Sequence, residues 1–354
     1  MSVEDRKTIR FVDEGKNSLV MLINQRKLPN KIEYVKCYTP ERLAKSIKSM
    51  EIRGAPAIGV AAAMALALAA SLSDAEKEED LYVDIERTAA LIRSTRPTAN
   101  NLFWAVERII SKARETLGSV EQIRNAIVDE AILMAEEDIE VNRTMGEYGA
   151  SLLNDGDTVG TICNAGWLAT AGVYGTALGV IKVAHELGKK ISVIAMETRP
   201  LLQGARLSAF ELKQDDIDLR VITDSMIGYC LYKGMIDKFI CGADRIVTSS
   251  GGHVLNKIGT YTAALAADRH RVPFYVASPI STFDFKNRLD DVIVEERNPL
   301  EIEKIGEYKI TPTGVPVFNP AFDITSPELI RGIITEKGII EAPIKDNILQ
   351  ILQK

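Results

Sequence analysis

The chain has 354 residues, 46% of them hydrophobic and 26% charged, with a formal net charge of -6. That length predicts two domains rather than a single core. The acidic balance excludes a surface built mainly for nucleic-acid phosphates, so no nucleic-acid partner is expected. The isolated cysteines Cys37, Cys163, Cys230 and Cys241 show no CxxC pair, which excludes a dense disulfide framework and a cysteine metal cluster.

The opening MSVEDRKTIR lacks the apolar core of a signal peptide, and a reducing cytoplasm is the expected setting. Residues 8–38 carry short alternating runs, SLVMLINQ and KIEYVKCY, which predict two or three strands with a turn at Leu28-Pro29-Asn30. From residue 39 to about 153 the apolar spacing becomes three and four, which predicts a helical bundle. Pro40 and Pro97 sit near helix starts, where a missing N–H costs little. The alanine-rich window at 57–72 falls short of the roughly 20 residues of a membrane span, so it reads as a buried helix and no membrane partner is expected. Residues 1–150 are thus expected to form a small sheet leading into a helical bundle.

Residues 151–354 read differently. The β-rich runs TVGTIC, ISVIAME, LRVIT, KFICGA and PFYVAS alternate with helix-like stretches, which predicts an α/β domain with a Rossmann-like parallel sheet. In such folds ligands sit beyond the carboxyl ends of the strands. No GxGxxG or GxxxxGK[ST] follows a strand, so neither a dinucleotide nor a P-loop nucleotide is expected. The strand ends instead carry Cys163-Asn164, Thr198-Arg199, Gln203, Asp224 and Asp244-Arg245, which places chemically capable groups on one rim.

Each candidate has a bland alternative. Cys163 could be a small core hydrophobe. It could also be a reactive thiol polarised by the N-terminus of the helix-like segment that follows it. Asp244 could cap a turn. As a general acid at neutral pH it needs its pKa raised by about 3 units, roughly 4 kcal/mol, and the apolar neighbours Ile240, Cys241 and Ile246 suit that. Three stretches look like helix starts that suit an anion: Arg53-Gly54-Ala55, Arg96-Pro97-Thr98, and Asn256-Lys257. Ordinary helix capping is the alternative for each. His185, His253 and His270 form no metal or triad pattern, so no metal and no cofactor are expected.

Several longer motifs carry a resemblance. INQRKLP at 23–29, IRGAPAIGVAAA at 52–63, TRPTANNLFWAV at 95–106, CNAGWLAT, ETRPLLQGARL at 197–207, CGADRI, NKIGTY at 256–261 and FNPAFDITSPELI at 318–330 follow one another along nearly the whole chain. In that order they resemble the methylthioribose-1-phosphate isomerases, within the superfamily that includes regulatory subunits of the translation-initiation exchange factor. The resemblance implies a helical N-terminal domain, a Rossmann-like C-terminal domain and a homodimer. It implies an aldose–ketose isomerase of methionine salvage acting on a sugar phosphate, with Cys163 and Asp244 catalytic. It further implies substrate contacts from Arg53, Gly54, Ala55, Arg96, Gln203, Asn256 and Lys257. Asn24 stands where aspartate is common, and Trp167 where a smaller residue is common.

The implied substrate carries phosphate on its anomeric carbon, so its ring cannot open spontaneously. A protonated Asp244 would protonate the ring oxygen. Hydrogen must then move from the second carbon to the first, either as a proton through Cys163 or as a hydride in a dry, apolar pocket that Cys163 helps to shape or stabilise. Trp167, Ile162 and Met196 weigh toward the dry route, and both stay open. A related isomerase of 5-deoxyribose 1-phosphate or ribose 1,5-bisphosphate, and a non-catalytic regulatory subunit, are the alternative readings. No basic pocket for a second phosphate is evident, and an interaction surface needs neither Cys163 nor Asp244.

Overall fold

A computed structural model of the protein describes residues 6–350, so the first five residues of the segment read for a leader lie outside it. The chain packs as two compact units. One takes in the residues up to Thr144 together with Ala165–Gly175, and the other takes in Met145–Asn164 and the chain from Thr176 onward. A single boundary near 150 does not carry the short return at 165–175. Hydrogen bonds tie that return into the first unit: Thr8 Oγ1 donates to Trp167 O at 2.6 Å, and Gln25 Nε2 to Leu168 O at 2.7 Å.

In the first unit, β1 (Ile9–Val12), β2 (Leu19–Ile23) and β3 (Tyr34–Cys37) form an antiparallel meander, registered Ile9↔Leu22 and Val20↔Cys37. Helix α1 (Pro40–Lys48) starts on Thr39, whose side chain accepts the Arg42 N–H. Helices α2 (Ala55–Leu72), α3 (Glu78–Thr95), α4 (Asn100–Glu115) and α5 (Val120–Ala150) follow. The alanine-rich α2 is long and apolar enough to cross a membrane by composition, yet residues 56–70 are all buried, so it is the core of the bundle. Its small side chains let α4 approach closely. A Cβ placed on Gly59 would stand 3.1 Å from Asn101 O.

The second unit begins within α5. Its large sheet uses β4 (Thr158–Thr161), β5 (Ser192–Met196), β6 (Asp218–Ile222), β7 (Lys238–Cys241), β10 (Phe274–Ala277), β15 (Gly332–Thr335) and β16 (Gly338–Glu341). The order is β16-β15-β10-β7-β4-β5-β6, all parallel except the edge strand β16. All five apolar runs read as strands lie in this sheet. Helices α6 (Ala177–Glu186), α7 (Ala209–Gln214), α8 (Ile227–Tyr232) and α9 (Thr260–Arg269) connect it. This is a Rossmann-like α/β architecture, and it reverses direction between β4 and β7.

A second sheet, not evident from the apolar pattern, is built from β8 (Arg245–Val247), β9 (His253–Lys257), β11 (Phe283–Asp284) and β14 (Phe322–Thr325), in the order β11-β8-β9-β14. Between β11 and β14 lie α10 (Leu300–Glu303) and the small hairpin of β12 (Lys304–Ile305) and β13 (Tyr308–Lys309); α11 (Ile344–Asn347) follows β16.

In the first unit, Asp138 of α5 accepts the Ala171 N–H at 2.6 Å. Burial pushes its carboxyl up to about 6, against the lowering effect of that bond. The folded pKa lies above the unfolded one. The proton is therefore held preferentially by the folded chain, and its stabilising effect is present below about pH 4 and lost as pH rises through 6. Asp138→Asn keeps an acceptor for Ala171. Urea denaturation between pH 4 and 8 should show the mutant gaining on the parent as pH rises, by on the order of 1–3 kcal/mol. Parallel pH profiles for the two proteins would contradict this account of Asp138.

Candidate active site

Strand order locates the site in the second unit. From β4 the chain builds outward through β5 and β6, then returns to place β7 on the other side of β4. The carboxyl ends of β4 and β7 therefore border the crevice at the topological switch point. Cys163 lies two residues beyond β4, and Asp244 three beyond β7. Gly160 in β4 is required for this pairing. A Cβ there would stand 2.5 Å from Phe239 Cδ2 of β7. Phe239 stacks in turn on Phe274 of β10, with ring centroids 5.0 Å apart.

Cys163 is partly exposed, whereas Cys37, Cys230 and Cys241 are buried and burial raises each of those thiols. No helix N-terminus directly follows Cys163. Residues Trp167–Ala169 form a single 3-10 turn, and α6 begins only at Ala177. The polarisation of the thiol by the next helix, expected from sequence, is therefore not what this segment is shaped for. What sets Cys163 apart is its backbone, which is left-handed with φ 63°. In a non-glycine residue such a conformation costs on the order of 1–3 kcal/mol and persists only where surrounding structure imposes it.

That structure is side-chain hydrogen bonding. Thr198 Oγ1 accepts the Cys163 N–H at 2.8 Å and donates to Met196 O at 3.0 Å. Ser208 Oγ donates to Cys163 O at 2.8 Å. Asn164 Nδ2 donates to Ser208 Oγ at 3.2 Å and to Glu211 Oε1 at 2.8 Å. Thr198 is itself left-handed, with φ 68°. Asp224 holds its turn by accepting the N–H groups of Thr198 and Arg199 at 2.8 and 2.7 Å. Gln203 precedes a π-helical turn, Gly204–Ser208. Its Oε1 is buried and has no hydrogen-bond partner among the described residues. A buried amide oxygen left open in this way suits a donor from a ligand.

The second sheet carries the other groups. The Asp244 N–H donates to Leu255 O at 2.9 Å, which fixes Asp244 to the start of β8 alongside β9. Asn256 and Lys257 end β9; they do not open a helix as their sequence suggested. The following helix, α9, begins at Thr260, and its first turn is occupied by Asp323. That carboxylate accepts the N–H groups of Gly259 and Tyr261 at 2.7 and 3.1 Å. An anion site at this helix end is thus already filled by the protein. Burial raises the Asp323 carboxyl to about 6, opposed by those two bonds and by Lys257.

Lys257 is buried, and its Nζ donates to Ala321 O at 3.2 Å. Burial lowers its pKa; Cys163, Asp244 and Glu301 act the other way, and Arg297 adds to the lowering. Cys163 and Asp244, from different strands, therefore lie within electrostatic range of one buried ammonium. Asn256 Nδ2 donates to Thr260 Oγ1 at 3.1 Å.

The remaining expected residues belong to the first unit. Gly54 caps α2 with φ 100°, and a Cβ there would stand 2.5 Å from the Ala169 Cα and O atoms. Only glycine fits both the dihedral and the contact. Ala55 opens α2. Arg53 is buried, its Nε donating to Gln25 Oε1 at 3.2 Å, and Gln25 is anchored on Leu168 O. Arg96 ends α3 and leads toward α4. Trp167 is buried in this unit. Gln25, Ser208 and Asp323 were not singled out from sequence as site residues, although all three lie in or beside the motifs quoted above.

Comparison with known proteins places this geometry. Residues 51–342 match the model of the initiation factor 2 subunit family. A protein of Thermosipho melanesiensis called methylthioribose-1-phosphate isomerase is 49% identical over 336 residues, covering 95% of this chain and 96% of that one. The crystal structure of 5-methylthioribose 1-phosphate isomerase from Pyrococcus horikoshii OT3 aligns with a TM-score of 0.89 at 39% identity, over 100% of this chain and 98% of that one. A structure described as translation initiation factor eIF-2B, subunit delta, from A. fulgidus aligns with a TM-score of 0.86 at 47% identity, over 99% of this chain and 100% of that one. The chain belongs to the initiation factor 2 subunit family.

Proposed function

We propose that this protein is an aldose–ketose isomerase that converts 5-methylthioribose 1-phosphate to 5-methylthioribulose 1-phosphate. The full-length relatives of that name support the reaction. The observation that carries its chemistry is the placement of Cys163 and Asp244 at the ends of β4 and β7, within range of the Lys257 ammonium.

In the proposed reaction Asp244, protonated, gives its proton to the ring oxygen as the bond from that oxygen to the first carbon breaks. Hydrogen then moves from the second carbon to the first with its electron pair, and the 2-hydroxyl proton passes to the Asp244 carboxylate as the ketone forms, which restores the acid and closes the proton count. Ile162 and Met196 are almost fully buried, which favours the dry, hydride-like route over proton exchange through Cys163, with the thiol then assisting the hydrogen transfer by shaping and stabilising that pocket. Gln203, Asn256 and Lys257 are proposed to hold the sugar and its negative charge. The proposed anion-binding roles of Arg53, Gly54, Ala55 and Arg96 rest on features of the first unit: the N–H groups at the start of α2, the Arg53 guanidinium and the Arg96 side chain. No cofactor is required by this sequence of steps. Free thiols fit the proposed cytoplasmic setting, and two copies of the chain are proposed to pair.

The name of the A. fulgidus structure keeps a second reading in view, a regulatory subunit without turnover. Assays against 5-methylthioribose 1-phosphate, 5-deoxyribose 1-phosphate and ribose 1,5-bisphosphate separate the readings. We expect turnover with the first as the best substrate, and no turnover with any would sink the isomerase. Cys163→Ser and Asp244→Asn should each lower kcat by about 100-fold or more while the chain stays folded. A folded variant with near-parental kcat would remove that residue from the chemistry. In deuterium oxide, mass spectrometry should find little solvent deuterium at the first carbon of the product; substantial label would exclude a purely direct hydride shift. Light scattering should give the mass of two chains, and a monomer at working concentration would contradict the pairing.

A further inference from the structure

Among the described residues, seven that are not glycine adopt a positive φ: Met50, Cys163, Val173, Thr198, Leu202, Asp216 and Arg271. Three of them, Cys163, Thr198 and Leu202, fall in the loops after β4 and β5. Their clustering coincides with the one place where a reactive thiol is proposed. Strain of this kind is retained where the surroundings over-determine it.

The surroundings here are two buried hydroxyls, one on each peptide group of the same residue. Thr198 Oγ1 takes the Cys163 N–H, and Ser208 Oγ binds the Cys163 carbonyl, both at 2.8 Å. Thr198 is 1% exposed and Ser208 0%, so water does not compete for either bond. Each hydroxyl is held in turn. Thr198 is fixed by Met196 O and, through its own N–H, by Asp224. Ser208 accepts from Asn164 Nδ2 and closes the π-helical turn that starts at Gly204. That turn is pressed against the end of β5: a Cβ on Gly204 would stand 1.8 Å from Met196 O and 3.0 Å from Thr198 Oγ1. Neither hydroxyl belongs to the acid–base chemistry. Both act on where the Cα–Cβ bond of Cys163 points.

We propose that Thr198 and Ser208 are positioning residues, a two-sided clamp that holds Cys163 in its left-handed conformation and so sets the direction of its thiol. This rests on the isomerase reading for its effect on turnover, but not for its effect on the thiol. The unpartnered backbone left by removing either hydroxyl would let Cys163 relax toward an ordinary conformation and swing Sγ away from its place.

The test uses the full chain and the variants Thr198→Val, Thr198→Ser and Ser208→Ala. Circular dichroism and melting select those that fold. Two readouts follow: steady-state isomerisation of 5-methylthioribose 1-phosphate, and the rate of Cys163 alkylation by iodoacetamide, mapped by mass spectrometry. Thr198→Val and Ser208→Ala should each lower kcat by about 10- to 100-fold with KM within about twofold, as expected when a reacting group is displaced. Thr198→Ser restores the hydroxyl and should return kcat to within about threefold of the parent. The alkylation rate should change by about threefold or more in the two clamp-breaking variants and return in Thr198→Ser. Folded Thr198→Val and Ser208→Ala proteins with parental alkylation rates would overturn the clamp. Absence of isomerase activity in the parent would instead strike the functional reading, and the alkylation arm would still decide the clamp. Should Thr198→Val not fold, Ser208→Ala and the Thr198→Ser comparison carry the decision by the same two readouts.

Discussion

The pairing of β7 with β4, on the side away from β5, is the constraint from which the site follows. A sheet that grows in one direction and then resumes on the other side of its first strand leaves two neighbouring loops that diverge. In folds of this kind ligands bind beyond the carboxyl ends of the strands at such a point. Cys163 and Asp244 occupy those two loops. The pairing needs a strand residue without a side chain at Gly160, since Phe239 takes the volume that a Cβ would use. Sheet register and core packing are thus bound to the proposed site through one position.

Charge is handled by the smaller sheet. Its antiparallel strands β9 and β14 put Asn256 opposite Asp323 and Lys257 opposite Phe322. Burial lowers the Lys257 pKa on balance, and Cys163, Asp244 and Glu301 oppose that only in part. Asp323 spends its own charge on the first turn of α9. The adjacent helix end is thus neutralised internally by Asp323.

Much of this was legible in the sequence, for identifiable reasons. Four strands of the parallel core, β4, β5, β7 and β10, are apolar runs with buried residues on both faces, whereas the edge strand β6 carries Asp218 and Arg220 and is largely exposed. The helical half announces itself by spacing, and α2 by alanine and glycine where a neighbouring helix must come close. Cys163 and Asp244 stand out because they follow such runs directly. The second sheet was not legible. Its strands are short and mix polar with apolar residues, as His253 and Asn256 do in β9, and Asn256-Lys257 before Gly259 imitates a helix start. The backbone state of Cys163 was also hidden, because nothing in CNAG distinguishes a left-handed cysteine from an extended one. Thr198 and Ser208 lie 35 and 45 residues away from it. Long-range hydroxyl-to-backbone bonds have no local signature.

The return of Ala165–Gly175 to the first unit has a consequence for how the protein can be divided. Those eleven residues supply Leu168 O to Gln25, the Ala171 N–H to Asp138 and the backbone against which Gly54 is fitted. Truncation after Thr144 would strip the helical half of the segment that Gln25, Asp138 and Gly54 are fitted to, and a polypeptide begun there would carry that segment without its partners. Gene fragments cut at that point are not interchangeable cassettes. Recombination between relatives would preserve both halves only if the crossover carried this loop along with the helices it completes.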